Sequence, residues 1–248
     1  MGSVDTRVRY NIFSRPNYAY GLYYSASLAQ RLGLKRITAI EFGVAGGNGL
    51  VALQEIAEII GPRFGVSVDV VGFDAGTGLP PPVDYRDLPH VFGQGYYRMD
   101  EAALRRRLNP ATKLLLGNVR DTIPEFFSLA LGPIGFIAFD FDYYSSTKQA
   151  FEIFHGDPAT RLPRVHCYFD DLVSSDLACA NEYVGEMLAI REFNECHARQ
   201  KISKFPHLTS IRLFPSSWNE LIYIFHDFDH PQYTTNIRPR EEWELPLK

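Results

Sequence analysis

Two pairs of aspartates are the residues best placed to do chemistry in this 248-residue chain. Asp140 and Asp142 follow the apolar run 134–139, and Asp170 and Asp171 follow the run 164–169. The first run is fully apolar, and both read as strands that end in acids. In an open parallel sheet, ligands bind beyond the carboxyl ends of the strands, so the four carboxylates are expected to meet at one sheet edge. Four like charges in one place are unfavourable unless something neutralises them. A hard divalent cation such as Mg²⁺, which takes oxygen ligands, does so well. The competing reading is helix capping, by Asp142 or Ser145 for one helix and by Asp171 or Asp176 for the next. A single acid after a strand is usually a cap; two separate pairs favour the metal.

A second constellation lies earlier. Glu41-Phe42-Gly43-Val44-Ala45-Gly46-Gly47-Asn48-Gly49-Leu50 joins a strand to a helix, and Asp74 ends the next strand. Glycines there let the backbone turn sharply and let a ligand approach it. An acid at the end of the second strand can accept hydrogen bonds from the ribose hydroxyls of an adenosine. A dinucleotide would also place a pyrophosphate at the helix N-terminus, and Glu41 just ahead of the glycines opposes that. The acid suits a cofactor carrying an amino group and no phosphate, which describes S-adenosylmethionine. Glu41, Gly43, Val44, Gly46, Gly49 and Asp74 are the expected cofactor contacts, with Asp140 facing the same edge.

Positioning these residues requires alternating strands and helices. The pattern predicts a helix over 18–32, strands over 36–42 and 67–73, and between them a helix over 50–60 stopped by Gly61-Pro62. A long Pro/Gly-rich loop covers 76–95. Further helices are expected over 101–108, 123–131, 147–154 and 177–193, and further strands over 113–116, 134–139 and 164–169. Two last strands, 208–214 and 221–226, are expected to form an antiparallel hairpin about the turn 215–218. This is an α/β chain: a Rossmann-like, doubly wound, mostly parallel seven-stranded sheet with a C-terminal antiparallel hairpin. One domain over 1–248 is expected, with an N-terminal helical or lid segment (1–34) and a core (35–248).

At these residues the chain resembles a known family. E-F-G-V-A-G-G-N-G-L over 41–50 is similar to the first motif of class I methyltransferases. Val71-Gly72-Phe73-Asp74-Ala75-Gly76-Thr77-Gly78-Leu79-Pro80 resembles the G-F-D-x-F-x-G-L-P signature of the macrocin O-methyltransferase family, with Gly76 where the family has an aromatic. G-N-V-R-D-T-I-P over 117–124 resembles its G-x-x-x-D-T-L-P segment, and D-F-D-Y-Y-S-S-T over 140–147 its D-x-D-L-Y-x-S-T motif. The later Asp170-Asp171 pair recurs there too, without the glycines that usually precede it.

The resemblance implies an S-adenosylmethionine-dependent O-methyltransferase, typically requiring Mg²⁺, that methylates sugar hydroxyls on natural products. It implies Asp140, Asp170 and Asp171 as metal ligands, Asp142 as general base, and Asn118 and Val119 beside the adenine. Asp121-Thr122 reads better as a helix cap. An NAD(P)-dependent oxidoreductase would keep Glu41, the glycines and Asp74 but leave the aspartate pairs unexplained. A non-catalytic S-adenosylmethionine-binding protein would have no reason to hold four carboxylates together.

Composition narrows the partners. Net charge is -4 with no clustered basic block, so no nucleic-acid partner is expected. No apolar run approaches the ~20 residues of a membrane span, and residues 1–15 lack a signal-peptide core. The odd, widely spaced Cys167, Cys179 and Cys196 match no disulfide or zinc pattern, which suits a reducing cytoplasm. His155, His166, His197 and His207 form no recognisable cluster and read as neutral core or surface histidines. The expected partner is a small hydroxylated acceptor, contacted from the N-terminal stretch and the loops 76–95 and 172–179. Aromatic-rich ends are compatible with a homodimer, and no feature forces one.

Overall fold

Seven strands form one sheet in the order β3-β2-β1-β4-β5-β7-β6. They are β1 (Arg36–Phe42), β2 (Ser67–Asp74), β3 (Lys113–Leu116), β4 (Ile134–Phe139), β5 (Arg161–Phe169), β6 (Gln200–Lys204) and β7 (Ile222–Asp227). The computed structural model describes residues 2–172, 176–239 and 244. The first five strands are mutually parallel, and β7 runs antiparallel to both β5 and β6. The expected Rossmann-like architecture with an antiparallel C-terminal pair is therefore present. Among the described residues, no helix is long and apolar enough to cross a membrane.

Helices α1 (Val4–Arg9), α2 (Pro16–Arg31), α3 (Asn48–Phe64), α4 (Glu101–Arg105), α5 (Val119–Ser128), α6 (Tyr144–Ala150), α7 (Gly185–Cys196) and α8 (Leu208–Ile211) complete the chain. The sheet is covered on both faces, which is why its parallel strands are apolar throughout. Phe136 and Phe139, three residues apart on β4, point to opposite faces. Phe136 meets Tyr18 of α2 at 5.8 Å, whereas Phe139 meets Phe151 beyond α6 at 5.4 Å.

Helices α4, α5 and α6 and strand β5 keep their places with bounds shifted by a few residues, and four departures from the sequence reading are larger or change the pairing. Helix α3 does not stop at Gly61-Pro62 but runs to Phe64, ending on Gly65 in the left-handed region. A proline near a helix end forfeits one hydrogen bond that the packing of the apolar face outweighs. The long helix expected over 177–193 begins only at Gly185, whose φ of +57° breaks the preceding turn. The segment 208–214 is no strand: α8 occupies its first half, entered through His207 in the left-handed region. The strand that pairs with β7 is β6, eight residues earlier in start, so the pair is antiparallel as expected but joined by a long connection rather than a tight hairpin. Its Trp218 is buried against Tyr20 at 5.6 Å, which assigns it to packing and not to an acceptor.

Part-buried His166 of β5 lies between Ser25 Oγ (3.2 Å) and the Tyr24 ring. Desolvation, then the charges of His226 and Arg164, push its pKa down to about 4. Between pH about 6.5 and 4 the unfolded ring is protonated and the folded ring is not. The unfolded state then binds more protons, so stability falls as pH falls through that window. Allowing for screening at the ring's exposed edge, the loss amounts to about 2–3 kcal/mol. Urea unfolding at pH 7 and pH 4.5 is expected to show a smaller acid loss in His166→Gln than in the wild type. Equal losses would assign the acid sensitivity to other groups.

Candidate active site

The carboxyl ends of β2, β1, β4 and β5 are set level by a row of phenylalanines. Phe73, Phe42, Phe139 and Phe169 are in register across the four neighbouring strands. Their rings contact one another at 4.6, 5.4 and 4.6 Å between centroids, the last pair stacked within 6° of parallel. One residue beyond each phenylalanine the chain presents Asp74, Gly43, Asp140 and Asp170. The row thus converts four separate strand ends into one rim, at the point where strand order reverses between β1 and β4, the usual ligand crevice of such sheets.

A cavity of about 870 Å³ opens above that rim. It lies toward the large end of the roughly 300–1,000 Å³ found for small-molecule sites, which leaves room for a cofactor and an acceptor together. All the residues singled out from the sequence line it. Glu41 comes from β1; Gly43, Val44, Gly46 and Gly49 from the turn into α3; Asp74 from β2; Asn118 and Val119 from the entry to α5. Asp140 and Asp142 follow β4, and Asp170 and Asp171 follow β5.

The turn has the tight conformation its glycines allow. Gly43 has φ +81°, and a Cβ there would lie 1.7 Å from the Asp140 carbonyl oxygen, so only glycine lets the two strand ends meet. Gly47 precedes helix α3, and no side chain caps the helix there. Asp74 holds the turn from the side: Oδ2 accepts from the Ala45 amide at 2.8 Å and Oδ1 from the Gly76 amide at 2.5 Å.

Glu41 is 1% exposed. Its Oε1 accepts from the Tyr18 hydroxyl at 2.6 Å, and Oε2 has no protein partner. A Cβ on Gly49 would fall 1.7 Å from Oε1, so this carboxylate lies directly against the first turn of α3. Burial pushes its pKa up to about 8, against the lowering effects of the Tyr18 hydrogen bond and the Arg15 charge. A buried carboxylate with one orphaned oxygen is a receptor for a cation or a strong donor.

The aspartates are not helix caps. Helix α6 is preceded by Tyr143, and α7 by Val184, with no side-chain cap at either. The group that does hold α6 is Asp87, fully buried in the long loop, whose carboxylate accepts from the Ser145 amide (2.8 Å) and hydroxyl (2.9 Å). Similarly, Asn118 caps α5 through its side chain, accepting from the Arg120 amide at 2.9 Å; the expected cap at Asp121-Thr122 lies inside the helix instead. Freed of capping, Asp142 sits at φ +59° and is 8% exposed. Its amide donates to Asp171 Oδ2 at 2.8 Å. Asp170 accepts from the Tyr168 hydroxyl. Burial, then the charges of neighbouring acids, holds Asp140 and Asp142 well above the usual carboxylate range, and burial raises Asp171 against the lowering effect of the bond from the Asp142 amide. Among the described residues, no three His, Cys, Asp or Glu side chains are gathered into a metal-holding group.

Three contributors were missed in the sequence. Tyr18 bonds Glu41 from α2; it carried only the general signature of a core tyrosine. Asp87 reads as one polar loop residue among several. Glu186, fully buried at the start of α7, accepts from the Asp171 amide through Oε2 at 3.1 Å. The long loop forms a wall of the cavity: the Tyr143 hydroxyl donates to the Pro80 carbonyl at 3.2 Å, and Leu88, Phe92 and Tyr143 form a small core of their own. Residues 173–175, within the expected acceptor loop 172–179, lie outside the described residues.

No protein-family model matches the chain, and no curated protein sequence matches it. Among solved structures it is similar to CalS11, a calicheamicin methyltransferase, at 22% identity and a TM-score of 0.54, covering 83% of this chain and 77% of that one. The O-methyltransferase NovP is 16% identical over 62% of this chain and 64% of that one, with a TM-score of 0.47. An O-methyltransferase from Bacillus cereus in complex with SAH is 17% identical over 82% of this chain and 78% of that one, with a TM-score of 0.39. The first of these likenesses confirms the fold.

Proposed function

We propose that the chain is an S-adenosylmethionine-dependent O-methyltransferase whose acceptor is a small hydroxylated molecule, a sugar or another natural product. The observation that carries this reading is the pair of carboxylates flanking the glycine turn. Glu41, which lies against the start of α3 and keeps its other buried oxygen unpartnered, suits the ammonium of the cofactor's methionine portion. It would repel the pyrophosphate of a dinucleotide, which argues against a nicotinamide cofactor. Asp74, at the end of β2, suits the ribose hydroxyls, and Asn118 and Val119 line the cavity where the adenine would extend. The fold it shares with a calicheamicin methyltransferase supports the same reading.

The sulfonium methyl is already activated, so the chain's task is to align an acceptor oxygen with the S–CH₃ bond and to remove its proton. Asp142 is the proposed proton acceptor. It lines the cavity beside Asp140, and Asp171 accepts from its backbone amide and so fixes its position. Asp140, Asp170 and Asp171 are hard oxygen donors of the kind Mg²⁺ takes; no three such side chains are gathered among the described residues, so they would hold the ion only after moving together. Such an ion, when bound, supplies Lewis acidity that lowers the pKa of a coordinated hydroxyl.

Calorimetric titration with S-adenosylmethionine tests the reading. Wild type is expected to bind, and Asp74→Ala to weaken binding roughly 100-fold or more, since it removes charge-assisted bonds to ligand and turn. Mg²⁺ heats are expected in wild type and not in Asp170→Ala. Absence of S-adenosylmethionine binding with and without Mg²⁺ would sink the methyltransferase reading.

A further inference from the structure

His155 and His197, 42 residues apart in sequence, face each other at the protein surface with their Nε2 atoms 3.3 Å apart. His155 follows the 3₁₀ turn Phe151–Phe154 that extends α6, and His197 ends α7. These two helices pack side by side and are tied midway, where Glu192 Oε2 accepts from the Tyr144 hydroxyl at 2.7 Å and from Lys148 Nζ at 2.6 Å. The Phe193 ring stacks on His197 at 4.1 Å and holds its orientation.

The hydrogen bonds at the other ring nitrogens settle the tautomers. His155 Nδ1 lies 2.7 Å from Glu152 Oε2, and His197 Nδ1 lies 2.8 Å from the Phe193 carbonyl oxygen. A carboxylate and a carbonyl only accept, so both Nδ1 atoms carry the proton. In the neutral rings both Nε2 atoms then present bare lone pairs to one another. A shared proton or a cation between them relieves that repulsion. The separation favours the cation. Two nitrogens bound at about 2.0–2.1 Å to one tetrahedral ion stand about 3.3–3.4 Å apart, which is the spacing seen here. The Nδ1 partners, one carboxylate and one backbone carbonyl, are also the outer-shell acceptors that orient metal-binding histidines.

We propose that His155 and His197 form a two-histidine site for a borderline divalent transition metal, Zn²⁺, Ni²⁺ or Cu²⁺, with solvent completing its shell. Imidazole nitrogen selects these ions over Mg²⁺. The His155 side chain is 44% exposed, so the ion enters from solvent. The site clips the C-terminal end of α7 to the turn after α6. It lies a full helix length, about 18 Å at 1.5 Å per residue, from Glu186 and Asp171 at the other end of α7, and its role is structural.

Thermal unfolding of the untagged chain tests this. Zn²⁺ or Ni²⁺ at about 100-fold over its dissociation constant is expected to raise Tm by about 5–10 °C. The rise should vanish in His155→Gln and His197→Gln and persist in Cys196→Ser and Asp170→Ala, which separates the pair from the neighbouring thiol and from the carboxylates. His155→Gln alters an exposed side chain, so its folding is not at stake. As a second readout, Cu²⁺ electron paramagnetic resonance should show coupling to two imidazole nitrogens in wild type and to fewer in either variant. No rise with any of the three metals, a rise retained in both histidine variants, or a transition that follows pH alone would overturn the proposal.

Discussion

Asp142→Asn is expected to lower the rate of methyl transfer by about 10²–10⁴-fold, the usual contribution of a positioned general base. Its S-adenosylmethionine affinity should stay within a few-fold of wild type. The choice of asparagine is dictated by the backbone. Asp142 stands at φ +59°, where asparagine is tolerated nearly as well as aspartate and most other residues are strained. Asparagine also matches the aspartate in size, and the Asp142 amide that donates to Asp171 is untouched. What disappears is the carboxylate's capacity to take a proton. Single-turnover formation of S-adenosylhomocysteine in quenched reactions, measured with an acceptor that supports turnover, isolates this step from product release. A variant that transfers methyl at the wild-type rate would remove Asp142 from the reaction.

The second large effect is on stability. Asp227→Ala is expected to cost about 3–5 kcal/mol, because it leaves the Arg161 guanidinium buried without its counter-charge. Arg161, at the start of β5, donates through Nε (3.0 Å) and Nη2 (2.6 Å) to Asp227 Oδ2 at the end of β7. Their side chains are 2% and 3% exposed, so water cannot replace the lost partner. For a chain of this length the loss corresponds to a fall in Tm on the order of 10 °C. The double variant Arg161→Met/Asp227→Leu should recover most of it, since an apolar pair carries no desolvation cost. Arg161 lies at the opposite end of β5 from Asp170, so cofactor binding by the folded fraction should be unchanged. Denaturant unfolding of the three proteins decides the matter. A single variant within about 1 kcal/mol of wild type would show that solvent reaches the guanidinium.

Residue type and local period carried most of the fold. Strands β1, β3 and β4 coincide with their apolar runs because a buried parallel strand must be apolar on both faces, and that pattern survives in one dimension. The errors fall where local signals compete with packing. Gly61-Pro62 resembles a helix stop, yet α3 continues to Phe64 because its apolar face has a sheet to cover. The stretch 208–214 has apolar character enough for a strand, but β7 takes its second partner from 200–204 instead. Nothing local distinguishes the two, since edge pairing depends on which segment reaches the sheet.

The candidate site divides in the same way. Its acids and glycines were legible in sequence because each directly follows an apolar run, and chain order alone sends parallel strand ends to one edge. Their common level was not legible. It comes from the register that sets Phe73, Phe42, Phe139 and Phe169 side by side, and register is a relation between strands. The same holds for every group that supports the site from elsewhere in the chain: Tyr18 on Glu41, Asp87 on Ser145, Glu186 on Asp171. It holds also for His155 and His197, which share no spacing that a reader could recognise and meet only because α6 and α7 pack in parallel. Sequence by itself determined which chemical groups the strands deliver. Tertiary structure alone decided which of them face one another, because charge, hydrogen bonding and metal affinity depend on distances of a few ångströms that no interval along the chain encodes.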